Sequence, residues 1–191
     1  FEISKDKLIS ELKKMYDGYS WDGKNFVYNP FSILSFFVKE EFGNYWFTSG
    51  TPTFLIKLIK ERNFDIKEFD NLSIDEDLIN SFELEKINIK SLLFQTGYLT
   101  IKKIDRIDFT YSEYILSYPN LEVKESFTKH LLAFMTSNLD KQEIIINDIK
   151  RNFELNNIQK VFDIIKSIYA SIPNQIFIKD KESYYHTIFY L

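Results

Sequence analysis

Apolar positions recur at helical spacing through most of the chain, and the places where that period breaks are short and carry turn residues. Ser4 precedes a face made by Leu8, Ile9, Leu12, Met15 and Tyr16, so a capped helix is predicted, with Gly18 in the place of a left-handed terminator. Asp22-Gly23 lies between two short aromatic runs and predicts a tight hairpin turn in a small ribbon. Asn29-Pro30 is a cap followed by a first-turn proline; it opens a helix through Phe31, Ile33, Leu34, Phe37 and Val38 that ends before Gly43. Past Tyr45-Trp46-Phe47 and the turn Thr48 to Pro52, the positions Phe54, Leu55, Leu58 and Ile59 predict a helix to about Arg62. Residues 63–71 are acidic and weakly patterned and read as a linker. Ser73 to Glu76 has capping-box spacing and predicts a helix through Leu78, Ile79 and Phe82.

The stretch from Asn88 to Asn120 changes period twice, and the rest of the chain is arranged around it. A short apolar helix (Ile89, Leu92, Leu93, Phe94) stops at Gly97. Two alternating strands come next, with Leu99, Ile101 and Ile104 on the first and Phe109, Tyr111, Ile115 and Tyr118 on the return, joined by a charged turn from Asp105 to Asp108. Lys102 and Lys103 interrupt the alternation. Asn120 then caps a long helix whose face is Val123, Phe127, Leu131, Phe134 and Met135. Helix, ribbon, helix is the plan of a winged-helix half, a shape that serves nucleic-acid contact and protein docking alike. Two more helices are predicted: one behind Asp140 to Glu143, with Ile144, Ile145, Ile149 and Phe153, and one over about Asn157 to Ala170. The expected fold is mainly α, with a small antiparallel β-ribbon.

Composition narrows the function without naming it. The 191 residues are 45% hydrophobic and 17% aromatic, enough for a core, and the net charge of −4 means that any nucleic-acid contact must come from a local patch. Without cysteine there is no disulfide, thiol nucleophile or zinc knuckle, which fits a reducing cytoplasm. No apolar run reaches the roughly 18 to 20 residues that span a bilayer, and the chain reads as soluble. It opens on Phe1 and closes in an aromatic run at Leu191, and reads as a piece of something longer.

Unaided catalysis finds little support. The two histidines, His130 and His186, have no second histidine or cysteine near them in sequence, and neither GxxxxGK[ST] nor GxGxxG occurs. Acidic pairs such as Glu40-Glu41 and Asp75-Glu76-Asp77 lie near predicted helix ends, where carboxylates need no catalytic explanation. On the ribbon, Lys102, Lys103 and Arg106 against Asp105 and Asp108 leave a slight positive excess, the candidate nucleic-acid contact.

Several strings, in order, carry a resemblance: MYDGYSW, VYNPFSIL, YWFTSGTPTFLIKLI, LLFQTGYLTI, SYPNLEVKESF, YASIPNQ and KESYYHTIFYL. They resemble the C-terminal part of bacterial AAA-ATPase-like proteins that carry a PD-(D/E)XK nuclease-like domain, over nearly the whole chain. The resemblance implies a helical lid over 1–62, a winged-helix-like region over 63–138, a helical connector over 139–175 and a truncated first nuclease-like helix over 176–191. It implies that the Walker lysine, the magnesium-binding acid and the nuclease strand residues lie outside this chain, which is then not itself an enzyme and holds no cofactor of its own. ATP and Mg belong to the parent protein, and the partners are its upstream ATPase core and downstream nuclease-like domain, with DNA contact as a further expectation.

The same resemblance implies two remnants. Gly50-Thr51-Pro52 has the GxP form of lid regions in which the proline packs on adenine, although a loop glycine and a first-turn proline account for it equally. Glu182, with Tyr185 and His186 a turn along, resembles the acid that the first nuclease helix directs at the metal. The leading expectation is a non-catalytic lid and winged-helix-like region that couples nucleotide state to the nuclease-like domain. The alternative is a protein-interaction or self-association module without nucleic-acid binding.

Overall fold

A computed structural model describes residues 4–49, 53–61, 66–76, 79, 88–136 and 142–170. The elements are α1 (Lys5–Tyr16), β1 (Asp17–Tyr19), β2 (Val27–Tyr28), α2 (Pro30–Lys39), a 3-10 turn (Trp46–Ser49), α3 (Thr53–Glu61), a second 3-10 turn (Ile66–Asp70), β3 (Leu72–Asp75), α4 (Ile89–Gln95), β4 (Thr100–Arg106), β5 (Ser112–Ser117), α5 (Leu121–Thr136), α6 (Gln142–Glu154) and α7 (Ile158–Ala170). The protein is mainly α, with two small antiparallel sheets. The chain divides into two compact units, Phe1–Phe127 and Thr128–Leu191.

In the first unit the predicted caps close as expected. Ser4 accepts from the Lys7 N–H, Asn29 from the N–H groups of Phe31 and Ser32, and Asn120 from that of Val123 at 3.0 Å. Leu12, Tyr16, Phe36 and Tyr45 form a buried cluster on which Leu8, Met15, Tyr28 and Ile33 pack. Tyr16 holds the chain reversal after α2 in both directions: its hydroxyl donates to the Gly43 carbonyl and accepts from the Gly43 N–H, both at 3.0 Å.

Several expectations need correcting. Gly18 does not terminate α1 in the left-handed region. It lies in β1 at φ +122°, where a Cβ would come 2.0 Å from the Pro119 carbonyl oxygen, so the glycine serves close approach rather than capping. The β1–β2 ribbon is closed by the longer loop 20–26, not a two-residue turn. Asp22 organises that loop by accepting from the Lys24 and Asn25 N–H groups and the Asn25 side chain; these hydrogen bonds, the Asn25 N–H first, hold its carboxyl well below the usual range. On α3 the buried positions are Leu55, Ile56 and Ile59, and Phe54 points outward.

The described part of the expected linker, from Ile66 onward, is a 3-10 turn that places one residue in the core. Phe69, in the second 3-10 turn, is fully buried against Tyr118 and Phe127. Ser73 does not cap a helix: Leu72–Asp75 is a strand, and the Ser73 hydroxyl donates to Glu113 across the sheet. The alternation Leu72, Ser73, Ile74, Asp75 has period two with both apolar residues buried, and that period prevails over the capping spacing, the helical state beginning only at Glu76. The expected two-stranded ribbon is therefore three-stranded, ordered β3-β5-β4 and antiparallel throughout.

Gly97 ends α4 at φ +79°, as expected, and the Tyr98 and Leu99 N–H groups fold back onto the Leu93 carbonyl. The return strand begins later than expected. Phe109 is outside it, 95% exposed at the tip of the β4–β5 hairpin, and the turn is centred on Asp108 rather than spanning Asp105 to Asp108. In the second unit α6 and α7 pack on each other through a turn in which Asn156 takes a left-handed φ of 54°. Val161 is buried there, whereas Ile144, Phe153 and Phe162 are more than half exposed.

Candidate functional site

Two features of the first unit bear on function: a buried polar junction at the start of α5 and the β4–β5 hairpin. Glu122, in the first turn of α5, is fully buried. Its Oε1 accepts from the main-chain N–H of Tyr45 at 2.6 Å and of Trp46 at 2.9 Å, contacts that join residues 77 and 76 apart in sequence. Neither its Oε2 nor the nearby Ser32 hydroxyl of α2 makes a hydrogen bond of ordinary geometry among the described residues. Burial pushes the Glu122 carboxyl above its ordinary value of 4.5, against the pull of Ser32 and the two amides. Around it, burial pushes the Tyr16 hydroxyl up to about 12 and raises those of Tyr19 and Tyr45, and the Glu122 charge adds to each.

Beside this junction the N-terminal elements are bonded to the three-stranded sheet. The Ser20 N–H donates to Thr100 Oγ1 at 2.7 Å, the Thr100 hydroxyl donates back to the Ser20 carbonyl at 2.9 Å, and Ile101 N–H reaches the same carbonyl at 3.3 Å. Trp46 and Phe47 pack on Tyr98, which in turn meets Phe127 at 4.8 Å between ring centroids. α1, α2, the sheet and the first turns of α5 therefore share one body of buried contacts.

The hairpin explains the interrupted alternation. Ile101 faces Leu116 and Lys103 faces Ile115, so Lys102 is the extra residue of a β-bulge. The bulge turns Lys102 inward: its ammonium donates to the Pro119 carbonyl at 2.9 Å and lies 3.5 Å from that of Gly18. Burial pulls its pKa down, partly opposed by the charge of Asp17. Lys103 is exposed and pairs with Asp105 at 2.6 Å; Arg106 is exposed. At the tip, Asp108 accepts from the N–H groups of Thr110 and Tyr111 and from the Thr110 hydroxyl, fixing a turn that presents Phe109 between the exposed Ile107 and Tyr111.

Of the residues singled out from sequence, Lys103 and Arg106 lie on the outer hairpin and Lys102 does not. Gly50, Pro52 and Glu182 lie outside the described residues, as do Tyr185 and His186. His130 is half-buried on α5, and burial pulls its pKa down. Among the described residues no group of three or more His, Cys, Asp or Glu could hold a metal ion, and no helix is long and apolar enough to cross a membrane. Sequence reasoning passed over Glu122 because a glutamate beside a helix cap reads as a solvated dipole partner. The available signal was its place in the apolar-flanked string NLEVKESF, one turn before Ser126, which is also buried.

No family model matches the chain, and no solved structure matches it. It is 36% identical over 187 residues to a protein of Azotobacter chroococcum mcd 1 described as an uncharacterized protein in the vnfD 5′ region. The match takes in 94% of this chain and 35% of that protein, so the chain spans about a third of the length of this bacterial relative.

Proposed function

We propose that these residues are the non-catalytic lid and winged-helix-like region of an AAA-ATPase-like protein, coupling nucleotide state in an ATPase core to a PD-(D/E)XK nuclease-like domain. The observation that carries this reading is the union of the N-terminal helices with the β3-β5-β4 sheet in one unit, through Ser20–Thr100 and Glu122–Tyr45/Trp46. A lid transmits movement only if it is firmly joined to the next part of the chain. ATP and Mg are bound by residues outside this chain, and the chain's own contribution is Pro52, offered to the adenine ring. The test is a longer polypeptide that adds the preceding residues of the gene: Pro52→Ala lowers ATP affinity about fivefold or more while the tryptophan fluorescence of the free protein stays unchanged. No ATP binding by the longer polypeptide, or binding indifferent to Pro52, overturns the reading.

DNA contact belongs to the same proposal and rests on Lys103 and Arg106. A second reading, docking onto a protein partner or a second copy, draws on the Phe109 tip and on α2, whose Phe31, Leu34, Phe37 and Val38 are 56–83% exposed although the helix is apolar on both faces. Salt separates the two. Phosphate contact weakens steeply as salt rises, whereas apolar docking does not.

A further inference from the structure

We infer that Glu122 is the positioning residue through which the Tyr45–Trp46 segment and the first turn of α5 move as one piece. The inference deepens the coupling reading and rests on it only for the purpose the movement serves; the linkage stands on its own contacts. A carboxylate with no exposed surface accepts two consecutive main-chain N–H groups, at 2.6 and 2.9 Å, from a segment 76 and 77 residues away. Those two amides start the 3-10 turn Trp46–Ser49 and lie beyond the reach of α2, whose last turn is closed by the Glu40 N–H on the Phe36 carbonyl.

The grip runs through one oxygen of the carboxylate. Oε1 carries both amides, while Oε2 has no hydrogen-bond partner among the described residues. The main chain at Tyr45 and Trp46 is thus tied to α5 by a single oxygen, and just before it Gly43 is tied to α1 by the Tyr16 hydroxyl. At its other end the Tyr45 hydroxyl donates to the Glu41 carbonyl at 2.6 Å, and the Tyr45 ring packs on Tyr16. Loosening the segment at Glu41 should therefore be felt at the first turn of α5 chiefly through Glu122, since the Trp46 ring reaches α5 further along, by way of Tyr98 and Phe127. The reporters on α5 are the Val123 N–H, bonded to Asn120 Oδ1, and the Lys124 N–H, bonded to the Asn120 carbonyl.

The experiment is a double-mutant cycle read by amide hydrogen exchange on the whole 191-residue chain, without nucleotide or DNA. Tyr45→Phe, which removes the Glu41 bond, is expected to speed exchange about tenfold at Tyr45 and Trp46 and also at Val123 and Lys124, while the amides of β4 and β5 keep their protection. In Glu122→Ala the same change at Tyr45 raises exchange at Val123 and Lys124 by less than about twofold. Glu122→Gln keeps an acceptor oxygen for the two amides and restores the response, which a residue that only adds stability does not predict. If Glu122→Ala does not fold, the Tyr45→Phe response in the wild-type and Glu122→Gln backgrounds still decides. Absence of any change at Val123 and Lys124, or a uniform rise over the whole first unit, overturns the inference. Failure of ATP binding in the longer polypeptide leaves this outcome untouched, so the two readings fail separately.

Discussion

Single residues set the terms of this fold where they meet main chain from distant parts of the sequence. Gly18 is one: a Cβ there would come 2.0 Å from the Pro119 oxygen at a φ that side chains avoid. Gly18→Ala is expected to cost about 2 kcal/mol or more in a urea titration. Glu122 is the other, and its pH dependence has a definite sign. Its folded-state pKa is raised, so the native protein holds the proton more tightly than the unfolded chain does. Its contribution is therefore fully present below 4.5 and declines as pH rises from there through the folded value, then levels off. Glu122→Gln should remove that slope from the unfolding free energy and keep both amide bonds, whereas Glu122→Ala should lose about 1–3 kcal/mol at pH 7 by orphaning one buried and one part-buried N–H group. Neither residue was legible in this role. A glycine after a helix and a glutamate after a cap both have a common local explanation, and only the contact with a remote segment replaces it. The caps at Ser4, Asn29 and Asn120 were legible because their partners lie within three residues.

Elements behaved according to how local their causes are. Most helices lie where the apolar period puts them, although on α2 the buried positions are Ser32 and Phe36 and the predicted Phe31, Leu34, Phe37 and Val38 face outward. The sheet shows where reading by local spacing stops: β3 was hidden under a capping-box spacing, and its strand character is fixed by pairing with β5, some 40 residues later. The bulge at Lys102 likewise accounts for an alternation that sequence could only record as imperfect. It also divides the three basic residues of the hairpin. Lys102→Glu should destabilise the protein by about 2 kcal/mol or more, since it sets a carboxylate against two carbonyl oxygens. Lys103→Glu and Arg106→Glu should leave the melting temperature nearly unchanged and, if the hairpin meets DNA, lower affinity and the salt slope in gel shifts. Phe109→Ser should also leave stability unaltered, the side chain being 95% exposed, and should weaken salt-indifferent association in sedimentation runs if the tip is a docking point.

On the scale of the whole molecule the division at Phe127/Thr128 falls inside α5, where no composition shift or glycine-rich stretch marks it. The first unit is held together by hydrogen bonds and ring contacts among remote residues, which no local pattern records. Both tryptophans, Trp21 and Trp46, belong to that unit. Tryptophan emission should therefore track its unfolding alone, while far-ultraviolet circular dichroism sums both units. The two urea curves should not coincide, and Gly18→Ala should shift the first without moving the second component of the other.

The long reach of Glu122 and Thr100 bears on how the protein is made. The first helices can form as soon as they are synthesised, but the amides of Tyr45 and Trp46 lack the Glu122 acceptor, and the Ser20 main chain lacks Thr100, until residues 100 to 122 have left the ribosome. A nascent chain paused before that point shows unfinished apolar surface, and chaperone capture or proteolysis should fall off abruptly once α5 has emerged.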